Sequence, residues 1–266
     1  MKLRKCMNHL ELEIEERKMS EEKIRLLNQQ LLENNLQLKS TIEELDRFAY
    51  VASHDLQEPL RKILVFSDKI QTKYKNVIDD DMYKNLEKIV RASERMQSLI
   101  NDLLRFSRQT STSEDFSNIP LNTLMLEVLT DMEVEIEKTS AQIQIDALPV
   151  IWAIPSQMRQ LFQNLISNAV KFRKKDTIPL VHIYAVPEKD LHRIVIQDNG
   201  IGFDPKYSDE IFMVFKRLHS YHEFEGTGIG LTIVRKAIER LNGTVGFESA
   251  PGQGSKFWIQ LPKATE

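Results

Sequence analysis

Glycine is absent from this chain until Gly200, and proline occurs only once, at Pro59, before Pro120. Left-handed turns and helix stops are therefore scarce in the first half, which reads as long helix. All nine glycines and eight of the nine prolines lie from Pro120 onward, so a mixed fold is expected there. The seam falls in the polar run Gln109–Asp115. Cysteine is nearly missing too. Cys6 stands alone, which excludes a disulfide framework and a cysteine-based metal site. No apolar run reaches the roughly 18 residues of a membrane span, and the charged N-terminus lacks the apolar core of a signal peptide. Neither sign of charge dominates, with 36 Lys and Arg against 39 Asp and Glu, so no basic face invites nucleic acid. Together these absences predict a soluble cytoplasmic protein that spans no membrane and binds no nucleic acid.

What is present begins with a heptad. Ile24, Leu31, Leu38, Leu45 and Ala52 fall at one core position, and Leu27, Asn34, Thr41 and Phe48 at the other. Charged and amide side chains fill the remainder, the pattern of a parallel coiled coil in which Asn34 and Thr41 set register at some cost in stability. Residues 1–47 are thus expected to form a dimerising stalk, one that can also pass a rotation or shift to the helix beyond it.

The next stretch, Phe48 to Leu64, reads FAYVASHDLQEPLRKIL and sets a histidine–aspartate pair, His54 and Asp55, just ahead of Pro59. Proline lacks an N–H, and its ring presses on the carbonyl of Asp55, so a bend is expected. In the heptad frame His54 sits two positions past Ala52, on the flank, where a partner could reach it. A second helix carries Met82, Leu86, Ile89, Ser93, Met96, Ile100 and Leu103 at 4-3 spacing, with Asp79, Asp80 and Asp81 at its positive end. Neither helix can bury its stripe alone. Residues 48–112 are expected to form a hairpin that completes a four-helix bundle as a homodimer.

Residues 113–266 alternate helix and strand. Helices are expected at Leu121–Lys138, Gln157–Phe172 and Thr227–Leu241. Strands are expected at Ile143–Ile145, Val150–Trp152, Val181–Val186, Arg193–Gln197, Thr244–Glu248 and Lys256–Gln260. The fold class is therefore α plus α/β: a coiled coil and dimeric bundle, then a two-layer α/β sandwich.

Three motifs in this half carry chemistry. Asp198-Asn-Gly200-Ile-Gly202 comes directly after a strand; its glycines permit close backbone approach to a flat ligand, and its carboxylate can accept from an exocyclic amine. An ordinary Asp-Asn-Gly turn fits the same residues. Gly226-Thr227-Gly228-Ile-Gly230-Leu231 opens a helix and so suits an anion, although it lacks the Gly-Lys-Ser/Thr of a Walker loop. Asn164, Asn168 and Lys171 share one face of a helix, where amide oxygens suit Mg²⁺ and a lysine suits phosphate; a plain solvated face is the alternative.

Taken together, the three motifs, in this order, resemble the ATP-binding fold shared by histidine kinases, gyrase, mismatch-repair ATPases and heat-shock chaperone ATPases. Ile211-Phe-Met-Val-Phe215-Lys216-Arg217-Leu is similar to the phenylalanine box of the histidine kinases, and Ser53-His-Asp-Leu-Gln-Glu-Pro-Leu-Arg61 to their phospho-acceptor box. The resemblance runs from about Phe48 to Leu261. It implies a sensor histidine kinase of two-component systems, in its branch beside PAS, GAF or phytochrome sensor modules. It also implies autophosphorylation of His54 by ATP and Mg²⁺, then transfer to the receiver domain of a response regulator. By the same resemblance Asp198 holds adenine near Gly200 and Gly202, and Gly226, Thr227, Gly228, Gly230 and Leu231 wrap the phosphates. Asn168 holds the metal with Asn164 close by, and Lys171, Lys216 and Arg217 meet phosphate oxygens. Asp55 orients the His54 ring, and Lys216–Glu225 forms a lid containing His219 and His222. Glu58 stands where many relatives carry Thr or Asn, the position tied to dephosphorylating the partner. An ATPase of the gyrase or chaperone kind would leave the His54 helix pair unexplained, and a non-catalytic scaffold would leave the nucleotide motifs unexplained.

Overall fold

In the computed structural model one helix, α1, runs from Lys2 to Lys73, and a second, α2, from Asp80 to Arg108. The structure describes residues 2–74, 77, 79–108, 115–208, 210–218, 223–224 and 226–263. The polar seam at 109–114, lid residues 219–222 and 225, and the side chains of Leu45 and Phe48 lie outside the described residues. No helix among the described residues is long and apolar enough to cross a membrane. The chain divides into two units, residues up to 52 and residues from 53 on.

Among the described residues of the first unit, α1 buries no side chain. Ile24, Leu27, Leu31 and Leu38 are 55%, 54%, 61% and 61% exposed, so the heptad stripe is unpaired within one chain. Thr41 turns its hydroxyl back onto the Gln37 carbonyl at 3.0 Å.

In the second unit α1 continues through Pro59 without ending. The lost N–H bond is one among many in a tract of helix formers, too few to stop a helix held from both sides. Asp79 caps α2 by accepting from the Met82 N–H at 2.7 Å, which satisfies an otherwise free donor of the first turn. Gln57 Nε2 donates to Asn101 Oδ1 at 3.0 Å and ties α1 to α2 as a hairpin. Each helix then splits its apolar stripe into two heptad rows. Ser53, Leu60 and Ser67 on α1, with Ser93 and Ile100 on α2, are buried. Leu56, Ile63 and Ile70, and likewise Met82, Ile89 and Met96, stay exposed.

The C-terminal lobe is built on a five-stranded sheet in the order β2-β4-β5-β7-β6, comprising Gln142–Ile145, Leu180–Pro187, Leu191–Asp198, Ser255–Pro262 and Thr244–Ser249. β2 and β4 are parallel and the other neighbours antiparallel. Helices α3 (Leu121–Asp131), α4 (Glu133–Thr139), α5 (Pro155–Lys171) and α6 (Gly230–Arg240) accompany the sheet. Leu161, Phe162, Leu165 and Ile166 of α5 share one core with Ile183, Ile194, Ile196 and Ile259 of the sheet and with Val234 and Ile238 of α6. Pro155 opens α5 at its first turn, where its missing N–H costs nothing.

Three expectations need correction. The helix expected over Leu121–Lys138 is two helices, broken at Met132, whose buried side chain anchors the bend in the core. The strand β3 (Val150–Ala153) leaves the main sheet and pairs antiparallel with β1 (Ser117–Pro120), too short and too polar to read as a strand. Finally, α6 starts at Gly230 rather than near Thr227. Gly226 and Gly228 adopt φ of 138° and 78°, a left-handed backbone that keeps the preceding turn out of the helix.

Candidate functional site

A cavity of about 520 Å³ opens where the C-terminal end of α5, the turn after β5 and the glycine-rich turn before α6 meet. Asn164, Asn168 and Lys171 reach it from α5; Asp198 and Gly202 from the β5 turn; Lys216 and Arg217 from the segment between that turn and α6; and Gly226, Thr227, Gly228, Gly230 and Leu231 from the last turn. The three motifs, separate in sequence, thus converge on one space.

Asp198 is held there by its backbone surroundings. One oxygen, Oδ1, accepts from the Gly200 N–H at 2.8 Å and the Ser255 N–H at 3.1 Å. Burial lifts this carboxyl to about 6, against the pull of those two donors. Gly200 lines no part of the cavity; a side chain there would come within 2.3 Å of the Phe172 carbonyl. At Gly202, with φ +59°, a side chain would come within 2.1 Å of the Ala250 carbonyl. Both glycines therefore admit the protein's own backbone, which in turn fixes Asp198.

Lys171 points its Nζ over the Phe172 ring, 4.3 Å from the centroid, and a side chain at Gly226 would sit 3.0 Å from that nitrogen. The ammonium is lowered to about 8, first by burial and then by the Arg217 guanidinium, with Glu135 and Asp102 pulling the other way. An anion placed between Lys171 and Arg217 would relieve both costs. Asn164 presents its Oδ1 3.2 Å from where a Gly230 side chain would stand, and its buried Nδ2 has no hydrogen-bond partner among the described residues. Lys216 pairs with Glu210 at 2.8 Å, and Arg217 Nη2 donates to the Phe224 carbonyl at 2.5 Å. Phe224 in turn packs on Phe172 with ring centroids 5.1 Å apart. Phe215 carries a left-handed φ of 64°, costly for a bulky residue, at the corner that feeds Lys216 and Arg217 inward.

His54 and Asp55 do not line this cavity. They lie on the exposed flank of α1, both side chains 73% exposed, with His54 Nδ1 3.3 Å from Asp55 Oδ1. With Asp55 on Nδ1, the other ring nitrogen, Nε2, has no hydrogen-bond partner among the described residues. Glu58 is engaged by Arg61 at 3.1 Å and Lys62 at 3.5 Å, and the Arg61 hydrogen bond and charge hold its carboxyl below the usual range.

Sequence reasoning missed part of the wall. Arg95, Ser98, Asn101 and Asp102 of α2 border the cavity, and Thr227 Oγ1 donates to Asp102 Oδ2. No local signal marks these residues, because only the tertiary fold brings α2 against the glycine-rich turn. Ser255 was missed as well, although its neighbours Gly252 and Gly254 signal a tight approach.

Known proteins share this arrangement of domains. Residues 153–265 match the family model described as "Histidine kinase-, DNA gyrase B-, and HSP90-like ATPase", and residues 44–112 match "His Kinase A (phospho-acceptor) domain". Cyanobacterial phytochrome A of Nostoc sp. is 39% identical over 225 residues, 85% of this chain and 29% of that protein. Phytochrome-like protein Cph1 of Synechocystis sp. is 35% identical, again over 85% of this chain and 30% of its own length. The chain thus spans less than a third of these curated relatives. Among solved structures, full-length ShkA in complex with AMPPNP superposes with a TM-score of 0.61 at 24% identity, over 82% of this chain and 46% of that one. The Acinetobacter baumannii histidine kinase AdeS gives 0.54 at 17% identity over 77% of this chain and 96% of that one. Those two likenesses concern the fold.

Proposed function

Because this chain belongs to the sensor histidine kinases of two-component systems, we propose that it transfers the γ-phosphoryl group of ATP to its own His54 and then to an aspartate of a response regulator receiver domain. The observation that carries this reading is the convergence of Asn168, Lys171, Asp198 and the Gly226–Gly230 turn on one cavity, in a chain that also displays an exposed histidine–aspartate pair. On this reading residues 1–47 are the signalling stalk, 48–112 the phospho-acceptor hairpin and 113–266 the ATP-binding domain.

Adenine stacks into the cavity with its exocyclic amine on Asp198, whose Oδ2 has no hydrogen-bond partner among the described residues. The phosphates run toward the N-terminus of α6 and the backbone N–H groups around Gly226, Gly228 and Gly230. Lys171 and Arg217 neutralise them, joined by Lys216 when it leaves Glu210. The Asn168 amide oxygen would hold Mg²⁺, with Asn164 beside it. The amide oxygens of the two asparagines suit that ion, which when bound would supply charge neutralisation to the phosphates, while the buried Asn164 Nδ2, a donor without a partner among the described residues, suits a phosphate oxygen instead.

For phosphoryl transfer the chain must place His54 in line with the γ-phosphorus, a problem of positioning and charge. The Nε2 lone pair forms the N–P bond while the bond from phosphorus to the β–γ bridging oxygen breaks, and ADP leaves with that electron pair. The Nδ1 proton stays on the ring, shared with Asp55, which stabilises the imidazolium as it forms. The phosphoryl group then passes to a receiver carboxylate and returns His54 to its neutral form.

The unpaired rows on both helices of the hairpin support a homodimer, and the phytochrome relatives support an upstream sensor of phytochrome, PAS or GAF type, working in the cytoplasm where ATP is. With γ-labelled ATP and Mg²⁺ the label should appear on the His54 peptide, survive alkali, be lost in acid, and move to an added receiver domain. A label that is stable to acid would overturn the reading.

A further inference from the structure

Among the described residues, Asp102 is the one carboxylate that α2 brings to the cavity wall. Its Oδ2 accepts from the Thr227 hydroxyl, between the two left-handed glycines of the turn that precedes α6. The N-cap residue of α6, Ile229, offers no side-chain cap, and the first turn carries no acidic residue, so this helix end has no anion of its own. Lys171, an arm of the same cradle, feels the Asp102 charge. A carboxylate from the hairpin therefore stands among the groups suited to a phosphate: a helix N-terminus, a glycine-rich turn and a buried lysine.

We infer that Asp102 is an internal stand-in for nucleotide phosphate: the hairpin docks its carboxylate onto the glycine-rich turn, and ATP must displace it. The inference rests on the nucleotide reading of this cavity. Docking and triphosphate binding then exclude one another, because two anions compete for one set of donors and cations. Nucleotide binding thereby unlatches the ATP-binding domain from α2, which frees it to move toward His54. Such a contact is a coupling free energy between the hairpin and the nucleotide, and it acts in both directions.

The test compares the full chain with Asp102→Asn, a change of one atom at a half-buried position that leaves a hydrogen-bond acceptor for Thr227. Binding of adenosine, AMP, ADP and ATP is measured by calorimetry, with thermal unfolding as the control for folding. Adenosine affinity should be unchanged within about twofold, whereas the gain from the substitution should grow with phosphate number to about tenfold for ATP, within the usual range of such couplings. An equal gain for all four, no gain, or weaker ATP binding overturns the stand-in; weaker binding would instead make Asp102 a supporting ligand. Failure of both proteins to bind any of the four overturns the nucleotide reading itself and the inference with it.

Discussion

In the C-terminal lobe Phe162, Leu165 and Ile194 are no more than 2% exposed, whereas in the hairpin Ile63, Ile89 and Met96 keep 42%, 47% and 45% of their surface. The first region closes its core with its own sheet and helices. The second uses one row of each helix internally and leaves the other bare, spaced seven residues apart along both helices. On the function proposed above, the lobe is a finished binding unit, and the hairpin is half of a bundle that presents its histidine outward. The split also explains why serines at 53, 67 and 93 are buried. Ser93 returns its hydroxyl to the Ile89 carbonyl at 2.9 Å, which satisfies it within its own helix.

The largest effect should come from charging the bare rows. Ile63→Asp with Ile89→Asp removes two aliphatic side chains, each worth about 1.5–3 kcal/mol when buried, and sets carboxylates where a second copy would pack. Sedimentation should show a dimer weakened to what the stalk at residues 1–47 holds alone, while ATP binding by the lobe stays within about twofold. A dimer as tight as that of the wild type would mean that the bare rows are not part of its interface. Next in size, Asn168→Ala should cut Mg²⁺-dependent labelling on the order of a hundredfold, because a metal stabilises several kcal/mol of developing charge. Sedimentation should still give a dimer, and labelling that is unchanged would remove Asn168 from the metal site.

The smallest effect is a pH dependence within the lobe. The Asp198 carboxyl is lifted to about 6, above the ordinary 3.8, so folding favours its protonated form. Its contribution to stability is thus full below the unfolded value and is lost as pH rises through about 6. Ligand binding runs the other way, since only the carboxylate accepts from an amine without giving up a proton. ATP affinity should fall by about tenfold for each unit below pH 6, and Asp198→Asn should flatten that profile. A wild-type profile that stays level between pH 5 and 7 would place the adenine amine elsewhere.

Periodicity carried much of the fold. The heptads mark α1 and α2, and strand alternation marks the main sheet, because each element has one buried face. The partition of the hairpin stripe into inner and outer rows was not legible, since a 4-3 pattern reports that residues are apolar and not which neighbour covers them. The short β1 escaped for want of length, and the start of α6 was misplaced because glycine backbone angles are invisible in sequence. At the site, the cavity residues on α5 and both glycine-rich turns could be named from spacing. The purpose of Gly200 and Gly202 could not, because the carbonyls of Phe172 and Ala250 that require them lie far away in the chain. Nor could the approach of Asp102 to Thr227, a contact across 125 residues.

The central claim is that the finished lobe acts on the hairpin it is joined to, with His54 as the acceptor. Paired measurements on the wild-type chain and His54→Gln test it most directly: nucleotide affinity by calorimetry, and labelling by γ-labelled ATP. ATP affinity should match within about twofold while the substituted chain takes up no label. Label that persists in His54→Gln at the wild-type level would contradict the account.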